Sequence, residues 1–172
     1  MKYFIIKQEK EIGHLIKLRD FTGSNHMTFI KEQADQLNDV SILFVEGGKE
    51  SVYTDFIENP VFLISDELKK VFEMYEYTLI FKTVVLSNIE EKTQKVYHMV
   101  LTDGIDGLSE KTTYYKNGWE KDIILDQEKL KNYNIFQIKG TVGNSMIVSL
   151  DVAESILRRD FTGVSFKEIE VI

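Results

Sequence analysis

The sequence predicts an α+β fold, a largely antiparallel β-sheet carrying two or three helices, and three observations predict it. Short runs of β-branched and aromatic residues recur along the chain between turn residues. Segments with strand character outnumber helical ones about two to one, segregated into hairpins. An apolar strand that ends in serine and leads into a helix occurs twice, so the fold is expected to be built partly from a repeated strand–helix–strand unit.

Tyr3-Phe4-Ile5-Ile6 reads as the first strand, and His14-Leu15-Ile16-Lys17-Leu18 begins a second. Gly23-Ser24-Asn25 is a turn. From Thr28 onward, Phe29, Ile30, Ala34 and Leu37 keep a loose helical spacing that Asn38-Asp39 stops. Ile42-Leu43-Phe44-Val45 is too short and β-branched for a helix. Gly47-Gly48 then reads as a hairpin turn, with residues 51–56 returning as its partner strand.

The repeat begins at Val61-Phe62-Leu63-Ile64-Ser65, which leads into a helix from Asp66. Its second copy is Ser145-Met146-Ile147-Val148-Ser149, leading into a helix from Leu150 to Leu157. Ser65 and Ser149 stand 84 residues apart (149 − 65), each where a hydroxyl would accept a hydrogen bond from an unpaired amide of the first turn. Asp66 and Asp151 sit near the positive ends of the helix dipoles. At the same offset Tyr77-Thr78 matches Phe161-Thr162, and after a one-residue slip Phe81, Val84 and Leu86 match Phe166, Ile169 and Val171. The stretch "RDFTG" occurs at 19–23 and at 159–163. Its second occurrence lies between helix and returning strand, where Gly163 takes positive φ and Phe161 anchors the turn in the core. It reads as a turn and not as a site.

Between the repeats, residues 78–87 and 94–101 flank Asn88-Ile89-Glu90-Glu91 as a hairpin. Tyr114-Tyr115-Lys116 and the residues from Trp119 flank Asn117-Gly118, the strongest short hairpin signal in the chain and one that predicts a type I′ turn. Asp126 caps a short helix through Leu130, and Asn134-Ile135-Phe136-Gln137-Ile138 is a further strand.

The 172 residues suit one ordinary domain or two small packed halves. A hydrophobic fraction of 43% and a charged fraction of 28% are those of a soluble globular protein, and 11 Phe with 8 Tyr supply a core. Absence of cysteine excludes disulfides, thiolate metal sites and a cysteine nucleophile, and fits a reducing cytoplasm. The N-terminal apolar run is broken by charge after four residues, too early for a signal peptide, and no window approaches a membrane span. The formal net charge of −7 repels nucleic acid and would attract a basic partner.

No catalytic constellation is complete. His14, His26 and His98 lack ligand spacing. Gly47-Gly48-Lys49-Glu50 fails as a phosphate loop because Leu43 stands where its first glycine belongs and Glu50 where a magnesium-binding hydroxyl belongs. Asp103-Gly104-Ile105-Asp106-Gly107 offers too few oxygens for calcium and reads as two Gly-containing turns. "DFTG" is not the kinase metal-binding motif, since neither a Gly-rich loop nor a catalytic loop accompanies it. Neither a cofactor, a metal nor a catalytic residue is expected.

Four segments in order, "VFLIS", "YHMVLTDGIDGLSEKTTY", "IILDQEKLKNYNIFQI" and "MIVSLDVAESILRRDFTGVSF", carry a resemblance over 61–166. That stretch resembles a bacterial family of immunity proteins from polymorphic toxin systems. The resemblance implies a small cytoplasmic protein, encoded beside a toxin, that binds and neutralises it without catalysis. It covers about two-thirds of the chain, so 61–172 is expected to be the immunity-protein-like α+β part, packed as one globular unit with a β-rich part at 1–60 of uncertain identity. The family pattern carries no contact motif. On physical grounds an inhibitory surface needs exposed aromatics with a charged rim. Asp103, Asp106, Glu110, Tyr114, Tyr115 and Trp119 offer those types and are the candidate toxin-binding residues. The alternatives are a small-molecule or metal-dependent enzyme in which His98, Asp103 and Asp106 cluster, or an interaction module of another bacterial assembly.

Overall fold

The computed structural model describes residues 1–19, 29–130, 133–143 and 145–172. Strand β1 (Tyr3–Gln8) opens the chain, followed by β2 (Lys17–Leu18), a 3-10 turn at Lys31–Gln36, β3 (Val40–Glu46), β4 (Phe56–Ile57) and β5 (Leu63–Ile64). Helix α1 (Asp66–Tyr75) leads into a long hairpin of β6 (Ile80–Asn88) and β7 (Thr93–Leu101). Next come β8 (Asp103–Ile105), a small hairpin of β9 (Thr113–Tyr114) and β10 (Glu120–Asp122), β11 (Ile124–Leu125), and β12 (Ile135–Ile138). The chain closes with β13 (Met146–Ser149), α2 (Leu150–Leu157) and β14 (Val164–Val171).

Among the described residues the strands form two six-stranded sheets, ordered β11-β14-β1-β13-β12-β8 and β2-β3-β6-β7-β5-β4, beside the β9–β10 ribbon. The fold is α+β, as the residue pattern predicts. In the first sheet α2 joins β13 to β14, which run parallel with the antiparallel β1 between them. In the second, α1 joins β5 to β6, likewise parallel, with the antiparallel β7 between.

Alternation explains how β1 serves two cores. Ile6 turns to a cluster shared with Phe56, Ile64 and Val100 of the second sheet, Met146 and Val148 of the first, and Leu68, Phe72, Val152 and Ile156 of the helices. Tyr3 and Ile5 turn the other way, under Leu125, Leu130 and Phe136. A third cluster, with Val84, Leu86 and Tyr97, fills the far face of the second sheet. Each fully buried aliphatic or Phe side chain contributes about 1.5–3 kcal/mol relative to exposure.

A polar seam joins the sheets. The Asp55 carboxylate accepts from the Thr162 amide at 2.7 Å and from the Ser65 hydroxyl at 2.6 Å. Ser65 in turn caps α1 by accepting from the Leu68 amide at 3.3 Å. Gln8 donates through its side-chain amide to Thr54 Oγ1 at 3.0 Å, and Tyr97 donates its hydroxyl to the Thr54 carbonyl at 2.8 Å. Burial pushes the Tyr97 hydroxyl pKa up, so it acts as a donor throughout the physiological range.

Several local expectations are corrected. Ser149 does not cap α2: buried, it donates its hydroxyl to Asn134 Oδ1 at 2.9 Å instead. The segment expected as a helix from Thr28 forms only the 3-10 turn, because Ala34 alone in it is buried and six residues present too little apolar face. Residues 51–56 do not pair with β3. The long apolar β6 takes that place in parallel register, and Val52 bridges Leu15. His14 lies in an exposed turn at φ 60° and not in a strand. Asp103-Gly104-Ile105 is a strand, β8, paired in parallel with β12. In the Asn117-Gly118 hairpin only Gly118 has positive φ, 86°; the Gly118 amide donates to the Tyr115 carbonyl at 2.9 Å and the Tyr115 amide donates to the Trp119 carbonyl at 2.8 Å. That is a type I turn closed by a glycine bulge and not type I′. The turn at Gly23-Ser24-Asn25, the first "DFTG" copy, His26 and Thr28 lie outside the described residues.

Gly163 has φ 75°, and a Cβ built there would stand 2.2 Å from Thr54 Cγ2. Gly118 has a similar φ with open space around it. Gly118→Ala is therefore expected to lower unfolding stability by about 1–2 kcal/mol through backbone conformation alone. Gly163→Ala should cost clearly more, and paired urea titrations of the two variants test the difference.

Candidate functional site

The segment between β8 and β12 builds the most elaborate surface of the molecule. Leu108, Leu125 and Leu130 press onto the outer face of the first sheet, and β11 joins that sheet beside β14. The Ser109 amide donates to the Ile124 carbonyl at 2.8 Å, and the Asp126 amide to the Gly107 carbonyl at 2.9 Å. Asp126 caps the following 3-10 turn by accepting from the Glu128 amide at 3.0 Å. With its stem fixed, the β9–β10 ribbon projects over β1 and β14.

Two contacts hold the ribbon in place. Glu120 accepts from the Val142 amide at 2.7 Å and the Gly143 amide at 3.3 Å, and the Trp119 ring lies beside Gly143. Thr113 donates its hydroxyl to Asp122 at 2.8 Å within the ribbon. A groove of about 330 Å³ runs beneath, lined by Ile5, Lys7, Trp119, Lys167 and Ile169.

Tyr114, Tyr115 and Trp119 meet on this ribbon and are not core residues, being 52%, 56% and 43% exposed. Asp106 and Glu110 stand exposed on the connecting segment. Asp103 is set apart: on β8 its carboxylate pairs with Lys31 Nζ at 2.6 Å, and Lys31 also donates to Thr78. Three exposed aromatics thus share one ribbon, with Tyr115 across from Trp119 and Tyr114 across from Glu120, while two of the acids are exposed on the preceding segment and the third is neutralised within the fold.

The enzyme alternative required His98, Asp103 and Asp106 to converge. His98, on β7, engages Asp66 at the start of α1 and packs edge-on against Phe81. Asp103 engages Lys31, and Asp106 is solvent-facing, so the three do not form one constellation. Among the described residues no three His, Asp or Glu side chains are grouped to hold a metal ion, and no helix is long and apolar enough to cross a membrane.

Sequence reasoning missed the Asp66–His98 pair, whose members lie 32 residues apart. It also missed that β3, a continuous apolar run, leaves Val40, Ile42 and Phe44 exposed.

The hydrogen bond from His98 holds the Asp66 carboxyl below the usual carboxylate range, against the opposing effect of burial. A depressed folded pKa contributes stability that is full above the unfolded value, about 3.9, and is lost as pH falls through the folded value. Asp66→Asn is therefore expected to lower stability at pH 7, and the gap from wild type should narrow in acid. Urea unfolding at pH 7 and pH 3 measures it. Glu120→Ala should speed amide exchange at Val142 and Gly143 while leaving β13 protected.

A family model described as the immunity protein family Imm11 matches residues 5–171. The match begins within β1 and so takes in the N-terminal part that carried no recognisable pattern. No curated protein matches the chain.

Proposed function

The chain belongs to the Imm11 immunity protein family, and from that premise we propose that it binds one cognate bacterial toxin in the cytoplasm and neutralises it by occlusion, without catalysis. Family membership supplies the general role, toxin neutralisation. The observation that supports a binding mechanism is the projecting ribbon with Tyr114, Tyr115 and Trp119 exposed on a rigid stem.

Large aromatics on a backbone already fixed by Glu120 lose little conformational freedom on association. They supply the apolar anchors of an interface, with Asp106 and Glu110 as its charged rim and Asp103 holding β8 in place through Lys31. A net charge of −7 favours a basic toxin surface and disfavours nucleic acid as the partner. The same reading treats 1–60 and 61–172 as one folded unit, since β1 lies between β13 and β14, and takes the two matching strand–helix–strand units as one architecture used twice.

The test is co-expression with the toxin domain encoded beside this chain's gene. Wild-type protein is expected to restore growth and to form a stoichiometric complex. Growth arrest in its presence would refute neutralisation. Tyr114→Ala with Tyr115→Ala should weaken the complex at least about tenfold, as loss of central aromatics does, without changing the melting transition.

A further inference from the structure

Among the described residues one block of the second sheet is left largely uncovered. Val40 lies opposite Thr83 and Thr83 opposite His98. Ile42 lies opposite Val85 and Val85 opposite Val96, and Phe44 opposite Ser87 and Ser87 opposite Gln94. Directly opposed residues share a face, so these side chains form three rows across β3, β6 and β7. It is the face on which Ile64 and Val100 lie under α1, which reaches only the first row, where Asp66 engages the buried His98, and leaves the other two uncovered. Val40 and Ile42 are 58% and 59% exposed, and Phe44 and Val96 are exposed beside them.

Among the described residues β2 pairs with β3 at Val45 and Glu46 and the Arg19 amide donates to the Phe44 carbonyl at 2.8 Å, leaving the outer edge from Val40 to Leu43 without a strand partner. Residues 40–45, "VSILFV", carry no charge. Strand β14 is the contrast, paired by β11 only at Glu170 and Val171 but carrying Lys167, Glu168 and Glu170. Charged side chains guard edge strands against unwanted pairing. Strand β14 has that guard and β3 lacks it.

The rim of the block is charged, and it is negative toward solvent at its Glu46 end. At one end the exposed Asp66 carboxylate engages the buried His98 and stands near Lys69 and Lys70, so the charges there are mixed. At the other, one cation, Arg19, serves two carboxylates, Glu46 at 3.2 Å and Glu90 at 3.7 Å, both more exposed than it is. An apolar centre with a charged rim is the anatomy of a protein interface.

We propose that this block is a second docking face for the toxin, receiving an apolar segment flanked by lysine or arginine; the proposal rests on the immunity reading above. A second copy of the chain is the poorer occupant. Apposing two copies would bring together molecules that each carry −7.

The neighbouring toxin domain is titrated calorimetrically into wild type, Ile42→Lys and Glu46→Lys, with unfolding transitions recorded for each. Ile42→Lys is expected to melt like wild type and to lose at least about 30-fold in affinity, as at the centre of an interface. Glu46→Lys should slow association and flatten its salt dependence, and it carries the test alone if Ile42→Lys does not fold. Wild-type affinity in both variants would overturn the docking face and leave the immunity reading intact. A wild-type chain that neither binds the toxin domain nor protects cells would overturn both. A wild-type dimer in light scattering that Ile42→Lys converts to a monomer would assign the face to a second copy and overturn the proposal.

Discussion

Asp55 accepts the Thr162 amide with one carboxylate oxygen and the Ser65 hydroxyl with the other, and much of the molecule is arranged by that junction. Thr162 belongs to the turn that ends α2, and Ser65 is the residue that starts α1. One charged side chain therefore sets the start of one helix against the exit of the other. Beneath it lies the cluster that both sheets and both helices share, in which Ile6, Phe56, Phe72 and Val148 meet. The carboxylate keeps its hydrogen-bond partners because the apolar cluster holds the elements in place. The cluster closes because the seam satisfies the polar groups at its edge.

With the inner faces committed to each other, the outer faces are left to decide function. The first sheet is roofed by the segment between β8 and β12, and that segment is rigid where it packs and projects only at the β9–β10 ribbon. The second sheet is roofed by α1 over part of one face, and β3 extends past the end of that cover. Exposed aromatics on one side and an uncharged edge strand on the other are costly features for a protein that works alone. Both are expected of one that spends its working life against a partner.

The ionisable groups fit the same picture. Asp66 is satisfied by His98, Asp103 by Lys31, and Tyr97 by the Thr54 carbonyl. Each of these groups is engaged in holding elements together. A reactive centre would instead aim such groups into a shared pocket. The groove under the ribbon is lined by acids and lysines, among them Lys7, Lys167, Glu168 and Glu170, together with Ile5 and Ile169, and it faces the ribbon.

By itself the sequence determined the elements and their caps wherever the decisive contacts were local. Ser65 at the end of "VFLIS", the β6–β7 hairpin, Gly163 at positive φ and Asp126 before its short turn were all legible, because each depends on residues within a few positions of one another. The sequence also carried the family pattern, which is a pattern of core and turn residues. Tertiary structure alone decided what depends on distant partners. Ser149 gave its hydroxyl to Asn134, β3 paired with β6 and not with the segment after Gly47, and Asp103 became a strand residue tied to Lys31. Exposure was decided the same way. The residue types of Tyr114, Tyr115 and Trp119 suit a core as well as a surface, and Ile42-Leu43-Phe44-Val45 read as a strand without showing which of its faces is covered. Hydrophobicity states only what a side chain gains on burial, while the cover that would bury it comes from elements many residues away.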